Sequence, residues 1–268
     1  MWLWALTASA QTAYEVPSHV LQGTALRVVV KNPSAGKLTA KLLDKTVPLF
    51  RQDSGEWLGL MPVPVAQTPG EYSLTIADGG NVLHTIRITV DDAHYPKQNI
   101  RASKAMKALE PLPGETEAVR ALQASVTDAR HWAEPFVNPT GDCMNSLFGV
   151  QRYHNGKPTG GYHRGVDLRS PMGRPVEATA AGVVRISSMF RLHGGTVGID
   201  HGQGMTSLYL HLSKLAVPEG TQVRKGEVVG YVGATGFATG PHLHWQLHVN
   251  GLPINPEQFA GKLKRCGG

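Results

Sequence analysis

Residues 240–249 contain the pattern that most constrains the fold of this chain. Their sequence is Gly-Pro-His-Leu-His-Trp-Gln-Leu-His-Val, in which polar and apolar residues alternate strictly. Successive side chains of a β-strand point to opposite faces, so the alternation predicts a half-buried strand. His242 and His244 then share the polar face, with their Cα atoms about 7 Å apart. Two imidazoles held in this way can serve one reaction centre, although a histidine-rich solvated strand face is an equally ordinary interpretation.

The first third of the chain predicts a run of short strands. Hydrophobic and β-branched residues concentrate in five stretches, at residues 26–30, 37–42, 56–60, 72–76 and 86–90. The sequence Asp78-Gly79-Gly80-Asn81 between the last two is typical of a tight hairpin turn. Short strands at this spacing favour a small antiparallel sandwich, which we assign to residues 11–92 as an accessory domain. It contains no catalytic constellation.

The composition changes in residues 93–137, which we interpret as a helical linker. Proline and glycine interrupt the chain at residues 111–114, and Glu115 and Glu117 follow at a predicted helix start. Apolar residues then recur at helical spacing, at positions Val119, Leu122, Val126 and Ala129. The pattern predicts a connecting helix whose apolar stripe packs on a neighbouring domain.

Glycine becomes frequent in residues 138–262, which predict an antiparallel β-rich domain with tight turns. Strand-like stretches lie at residues 182–186, 196–200, 207–211 and 228–232. Eight of the 12 histidines lie between His154 and His248, so chemistry is expected in this domain. Residues 263–268 form a short tail that ends in two glycines.

Composition and the first residues bear on location and partners. The chain has 26 basic and 20 acidic residues, a net charge of +6, which favours anionic partners such as nucleic acid, anionic lipid or a cell-wall polymer. The absence of a dense basic run argues against nucleic acid.

No run of 18 apolar residues predicts a membrane-spanning helix. Residues 1–10 resemble the apolar region and cleavage site of a secretory signal without its basic leader, which predicts a truncated export signal and a periplasmic or secreted protein.

Three short motifs stand in order within the C-terminal domain. The first is His163-Arg164-Gly165-Val166-Asp167, the second is Tyr209-Leu210-His211-Leu212-Ser213, and the third is the strand that begins at residue 240. A histidine and an aspartate four residues apart arise often by chance. The three motifs together in one domain are much more specific.

These motifs resemble those of the lysostaphin-type (LytM-like) zinc metalloendopeptidases, which cut peptidoglycan peptides. The resemblance covers about residues 145–259 and includes the glycine-containing stretches 148–149, 200–204, 225–227 and 233–236. The upstream sandwich resembles, more weakly, the accessory domain of some Gram-negative members. The resemblance implies a mainly β protein with a sandwich, a helical linker and a LytM-like peptidase domain.

The resemblance also implies the site. The family's zinc ligands correspond to His163, Asp167 and His244, which would bind one zinc ion per chain. The family's other two histidines correspond to His211 and His242, which would act on the water and the transition state. This division agrees with the chemistry of catalytic zinc, which takes three protein ligands and keeps a position for water. No HExxH helix supplies a glutamate, so a histidine is the natural base.

Several residues other than the five predicted site residues have ordinary interpretations. We interpret four histidines as surface or hydrogen-bonding residues: His154, His193, His201 and His248. His193 lies in a turn that could line a groove, and Tyr162 and Arg164 flank the first predicted ligand, so they are weaker candidates for substrate contact.

The implied activity is hydrolysis of stem-peptide cross-links in peptidoglycan, with wall peptides as substrate; the sequence leaves any protein partner unknown. One alternative is a catalytically silent relative that binds the wall or activates an amidase; the presence of all five site residues argues against it. The other is a general secreted metalloprotease, which nothing in the sequence excludes.

In an oxidising compartment Cys143 and Cys266 could form a disulfide, and two free thiols are the alternative.

Overall fold

A computed structural model describes residues 11–33, 36–100, 103, 108–154 and 156–267. The predicted export segment, residues 1–10, lies outside them. The described part is mainly β, as the sequence predicts. None of its helices is long and apolar enough to cross a membrane.

The N-terminal strands form two sheets packed face to face. In chain order they are β1 (Ala13–Glu15), β2 (His19–Leu21), β3 (Ala25–Lys31), β4 (Leu38–Leu42), β5 (Lys45–Pro48), β6 (Phe50–Arg51), β7 (Trp57–Pro62), β8 (Gly70–Asp78) and β9 (Asn81–Asp91). The sheet orders are β1-β3-β7-β6 and β2-β9-β8-β4-β5. Asp78 pairs with Asn81, so the predicted hairpin turn is confirmed. Alternate residues of the strands, such as Val28, Leu74 and Ile88, are fully buried between the sheets.

The remaining elements build the C-terminal part. They are β10 (Lys97–Ile100), α1 (Glu115–Gln123), β11 (Met144–Ser146), β12 (Gln151–His154), β13 (Lys157–Tyr162), β14 (Val166–Leu168), β15 (Pro175–Glu177), β16 (Gly182–Met189), β17 (Gly195–Gly202), β18 (Met205–Leu212), β19 (Lys214–Leu215), β20 (Gln222–Val223), β21 (Val228–Tyr231), β22 (Leu243–Val249), β23 (Leu252–Ile254) and α2 (Glu257–Ala260). The central sheet has the order β11-β14-β22-β18-β17-β16-β20, with β23 beside β22. Two three-stranded sheets, β10-β12-β13 and β15-β21-β19, flank it.

Helix α1 covers part of one face of the central sheet. Val119 and Leu122 pack against Ile186, Leu208 and Leu210. Leu208 and Leu210 lie directly opposite Gln246 and His244, so the helix packs on the sheet face that carries the predicted site. The cover extends to His248, which is fully buried and accepts a hydrogen bond from Gln123. The half-buried strand predicted from the alternation is therefore wrong at its C-terminal end, because α1 covers the polar face there and the apolar core covers the other face.

The predicted helix is also shorter than its pattern indicates. It ends at Gln123, and the side chain of Val126 is 45% exposed. From Thr127 onward the backbone bonds to the β17–β18 hairpin instead: Gln203 N donates to the Thr127 carbonyl and His131 N to that of His201. Tertiary hydrogen bonds thus replace the last helical turns that the periodicity of Val126 and Ala129 predicted.

The sandwich packs directly on the C-terminal part of the protein. Leu58 and Leu60 of β7 belong to the same apolar cluster as Trp132 and Phe136. The Gln258 side chain exchanges two hydrogen bonds with the backbone of Ala25, at 2.9 and 2.7 Å. The division into sandwich, linker and C-terminal domain at residues 92/93 and 137/138 stays our proposal. The linker is not separate from the C-terminal domain, because its strand β10 pairs with β12.

The C-terminal tail is tied to the start of the C-terminal domain. Cys143 and Cys266 form a disulfide across 123 residues of sequence, which confirms the predicted pairing. The backbone adds to this link, because Met144 N donates to the Lys264 carbonyl and Cys266 N to that of Met144.

Removal of the disulfide is expected to destabilise the protein. A cross-link that closes a loop of this length restricts the unfolded chain, and its loss costs about 2–5 kcal/mol. We expect the Cys143→Ser/Cys266→Ser double variant to unfold at correspondingly lower urea concentration than the wild type. The fluorescence of the five tryptophans reports the transition. Equal midpoints and slopes for the two proteins, or two titratable thiols in the unreduced wild type, would contradict the expectation.

Candidate metal centre

Three of the predicted site residues meet where β14 pairs with β22. Asp167 lies directly opposite His244 in the antiparallel register. His163 precedes β14, and Gly165 between the two motif residues passes close to β22. A Cβ atom at Gly165 would lie 2.3 Å from the Trp245 carbonyl oxygen, so a side chain there would push the strands apart. Gly165 therefore allows His163 and Asp167 to lie close to His244.

The donor atoms of these residues fit a zinc ion. The His163 Nε2 atom lies 3.1 Å from Asp167 Oδ1 and 3.0 Å from His244 Nδ1, and the last two are 2.7 Å apart. Ligand atoms of a tetrahedral zinc site, at about 2.0–2.1 Å from the metal, lie about 3.3 Å from one another. His163 Nδ1 donates to the Leu147 carbonyl at 2.7 Å, which leaves the Nε2 lone pair for a metal. Two nitrogens and one oxygen form the donor set expected of an open catalytic site.

The electrostatics keep these groups in the state that binds a metal. The Asp167 side chain is only 14% exposed. Burial raises the pKa of this carboxyl, but the adjacent His163 and His244 outweigh burial and hold the pKa well below its usual value. Burial lowers the pKa of His244 to about 4. At neutral pH the site therefore offers an ionised carboxylate and a neutral imidazole, as metal binding requires.

His211 approaches from the end of β18. Its φ of +64° is in the left-handed region, which is rare for residues other than glycine and often marks functional positions. Its backbone N–H donates to the His193 carbonyl, and its Nδ1 donates to the Thr235 carbonyl at 2.8 Å. Nε2 is then the free nitrogen. Burial and the neighbouring His244 and His242 lower the pKa of His211 to about 3, so its ring is neutral at pH 7.

His242 completes the group of five. Its Nδ1 donates to the Gly240 carbonyl at 2.8 Å, and its Nε2 lies 3.9 Å from Asp167 Oδ1. Its ring centroid is 4.9 Å from that of His211. Neither His211 nor His242 belongs to the compact three-residue donor group. Four of the five predicted residues line one cavity of about 420 Å³: Asp167, His211, His242 and His244. His163 is buried and does not line this cavity.

The four histidines assigned ordinary roles differ in their surroundings. His201 is buried and bonds the Ala181 carbonyl and Ser207. His193 lines the main cavity, as its position in the turn allowed. His248 lies under α1, and the side chain of His154 lies outside what the structure describes. Of the weaker candidates, Arg164 lines a smaller neighbouring cavity with His193 and Gln246, whereas Tyr162 borders a cavity elsewhere.

Glu115 is a contributor that the sequence did not reveal. Its carboxylate is 1% exposed and accepts the Nδ1–H of His193 at 2.6 Å. It also accepts the backbone N–H groups of Arg191, Leu192 and His193 at 2.9–3.1 Å. The sequence placed Glu115 at a helix start as a dipole partner, but its side chain instead anchors the loop that walls the cavity.

The hydrogen bonds of the Glu115 carboxylate predict a pH-dependent contribution to the free energy of unfolding. Burial alone would raise the pKa of Glu115, but the hydrogen bonds from Leu112, His193 and Arg191 outweigh burial and lower it to about 2 from 4.5. A folded-state pKa below the unfolded one stabilises the protein above the unfolded pKa, and the stabilisation disappears as the pH falls toward 2. We expect Glu115→Gln to lower the free energy of unfolding by about 3 kcal/mol at pH 7, with the deficit shrinking below pH about 4.5.

Urea titrations of both proteins between pH 3 and 7 measure this deficit. Glu117→Gln on the same helical turn is the matched control, because Glu117 is exposed. A deficit that is constant with pH would show that lost packing, not the ionised carboxylate, is responsible.

Two further residues at the candidate metal centre, Gln246 and Arg152, were not identified from the sequence. The Gln246 amide lies 2.7 Å from His244 Nε2, and its position on the same face of the strand was the available signal. Arg152 lies 3.5 Å from Asp167 Oδ2 and lines the main cavity. No sequence pattern singled out Arg152, because its placement depends on the pairing of β12 with the linker.

Known proteins match this part of the chain. Residues 161–256 match peptidase family M23. The DD-carboxypeptidase/endopeptidase Mpg of Neisseria meningitidis is 44% identical over 117 residues, which are 44% of this chain and 27% of Mpg. The peptidoglycan DD-endopeptidase ShyC of Vibrio cholerae is 40% identical over 116 residues, 42% of this chain and 26% of ShyC. The chain thus spans about a quarter of the length of these curated relatives.

A solved structure matches over more of the chain. A crystal structure from Pseudomonas aeruginosa described as a peptidase M23 superposes with a TM-score of 0.67 and 28% identity. The match covers 89% of this chain and 94% of that one. The similarity therefore extends beyond residues 161–256 into the N-terminal part.

Proposed function

We propose, because residues 161–256 match peptidase family M23, that the protein is a zinc-dependent endopeptidase that hydrolyses stem-peptide cross-links of peptidoglycan. The observation that carries the proposal is the cluster of His163, Asp167 and His244 donor atoms, all within 4.8 Å of one another, beside a cavity lined by two more histidines. The names of the DD-endopeptidase relatives support the D-alanyl cross-link as substrate.

Zinc would be held by His163 Nε2, Asp167 Oδ1 and His244 Nδ1. When bound, it acts as a Lewis acid on the scissile carbonyl and supplies a water molecule acidified to a pKa of about 7. The fixed partner of His163 supports this role, because the Leu147 carbonyl accepts its Nδ1–H and so orients the ring.

The two remaining histidines supply proton transfer and charge stabilisation. The Nδ1 of His211 donates to the Thr235 carbonyl, which leaves the Nε2 lone pair to take the proton of the attacking water. His242 has its Nδ1 committed to Gly240 and can orient the water or stabilise the charge that develops on the carbonyl oxygen. Hydrolysis breaks the amide C–N bond, adds oxygen to the carbonyl carbon and delivers a proton to the leaving nitrogen.

Location and binding to the wall follow as part of the same proposal. The Cys143–Cys266 disulfide supports a periplasmic or secreted protein, since disulfides persist in oxidising compartments. The net charge of +6 supports attraction to an anionic wall polymer.

Digestion of purified peptidoglycan tests the function. We expect the zinc-loaded protein to lower the cross-linked fraction and to release no new sugar reducing ends, and we expect a chelator to abolish the effect. Mass spectrometry of the products identifies the bond. Binding to the wall without any opened peptide bond would instead support a silent wall-binding relative, and faster cleavage of unrelated proteins than of wall peptides would support a general protease.

A further inference from the structure

A second cavity, of about 310 Å³, adjoins the main one at the metal centre. The two cavities share four lining residues: Arg152, Asp167, Thr239 and His242. Four further polar residues line the second cavity beside Gly240 and Pro241: Gln98, Asn145, Ser146 and Arg169. Two arginines and one aspartate are its charged lining residues, so the cavity suits an anion.

Local strand structure positions Arg152 at the junction of the cavities. Arg152 lies opposite Gln98 in the parallel pair of β12 with β10. On the other side of β12, the register with β13 shifts between Gln151 and Tyr153, so Arg152 lies at an irregularity of the β-bulge type. Bulges re-aim side chains and occur next to active sites.

The charge of Arg152 is only partly balanced there. Its side chain is 16% exposed, and Asp167 Oδ2 lies 3.5 Å away, which is long for a charged hydrogen bond. A guanidinium has five N–H donors, and among the described residues Asp167 is the one acceptor recorded for it. Asp167 Oδ1 meanwhile faces His163 and His244, so this carboxylate is shared with the proposed metal.

We propose that Arg152 binds a carboxylate of the substrate in the second cavity, namely the one on the carbon next to the scissile nitrogen. The proposal rests on the proposed function and names its substrate class: peptides whose leaving residue carries a free α-carboxylate. The contact of Arg152 with Asp167 restricts the anion to the immediate neighbourhood of the reacting amide. A D-alanyl bond to a diamino acid with a free carboxylate has this chemistry, and the planar fork of an arginine fits a carboxylate through two parallel hydrogen bonds.

A pair of substrates isolates this interaction. The first is an acetylated D-alanyl-D-alanine peptide with a free carboxylate, and the second is its C-terminal amide, which has nearly the same size and no charge. We expect the wild type to prefer the carboxylate peptide and Arg152→Gln to lose about 10- to 100-fold in kcat/KM for it, with little change for the amide. Arg152→Lys should retain part of the preference, because it keeps the charge and loses the fork.

The control is Arg87→Gln in the sandwich. Arg87 forms an ion pair with Glu71 at the same 3.5 Å, but its side chain is 77% exposed, so neither substrate should be affected. Metal content is measured for every variant. Equal losses for both peptides, no loss for either, or loss of metal from Arg152→Gln would each overturn the proposal, the last by showing that Arg152 acts only through Asp167.

A binding measurement separates this proposal from the proposed function. Chelated protein is titrated with the two peptides by calorimetry, so that neither turnover nor a metal–carboxylate contact contributes. Tighter binding of the carboxylate peptide to wild type, and not to Arg152→Gln, supports the subsite even if the loaded protein cleaves neither peptide. Equal affinities for wild type and variant would overturn it even if the loaded protein is an active endopeptidase.

Discussion

Replacement of His244 with alanine is expected to remove the metal from the protein and to abolish peptide cleavage. His244 supplies one of three donor atoms, and its Nδ1 lies within 3.0 Å of both other donors. Two remaining ligands hold zinc weakly, and a carbonyl that is no longer polarised loses several kcal/mol of transition-state stabilisation, about 10³-fold or more in rate. Elemental analysis should find about one zinc per wild-type chain and much less in His244→Ala.

His94→Ala is the control for nonspecific effects of losing a histidine. His94 is an exposed residue beside Asp92 in the segment that follows the sandwich, away from the cavity. Its zinc content and rate should equal those of the wild type. Full metal content in purified His244→Ala would show that the ligand assignment is wrong.

Replacement of His211 or His242 with alanine is expected to leave the zinc in place and to slow turnover by about 10²- to 10⁴-fold, as for general acid–base groups. In both rings Nδ1 donates a hydrogen bond to a backbone carbonyl, so Nε2 remains available for the reaction. Because neither belongs to the donor cluster, the metal should survive their removal. The loss should appear mainly in kcat, since the binding cavity and the metal remain.

His201→Ala is not a suitable control, because His201 is buried and its loss would disturb the core. His131→Ala serves better, since His131 is an exposed residue of the linker. Near-wild-type kcat in both His211→Ala and His242→Ala would refute their assignment. Loss of zinc from either variant would make that residue a ligand instead.

The five residues of the proposed site follow from the resemblance of three motifs to a known family, whereas strand alternation alone predicts only that His242 and His244 share a face. The alternation at residues 242–249 places His244 and Gln246 on one side, and antiparallel pairing then brings Asp167 opposite His244. The hairpin at Asp78 and the disulfide could also be predicted from the sequence. Each depends on turn chemistry or on the small number of possible partners.

The surroundings of the site could not be predicted, because they depend on tertiary contacts between distant segments. Glu115 reaches the 191–193 loop across more than 70 residues, and Arg152 is positioned by a linker strand that has no distinctive pattern. The helix ends early because residues 127–131 bond to a hairpin far along the chain. Periodicity identifies a helix or a strand, but it contains no information about such partners.

One measurement tests the zinc endopeptidase proposal most directly. An isolated peptidoglycan fragment, two muropeptides joined by one D-alanyl cross-link, is incubated with the zinc-loaded protein in ¹⁸O-labelled water, and the products are weighed by mass spectrometry. The proposed function predicts two monomers whose masses sum to that of the dimer plus one labelled water, with the label on the D-alanyl carboxylate. It also predicts no reaction with Asp167→Ala or after chelation. An intact dimer in the presence of zinc-loaded wild type, or cleavage that persists without metal, would contradict it.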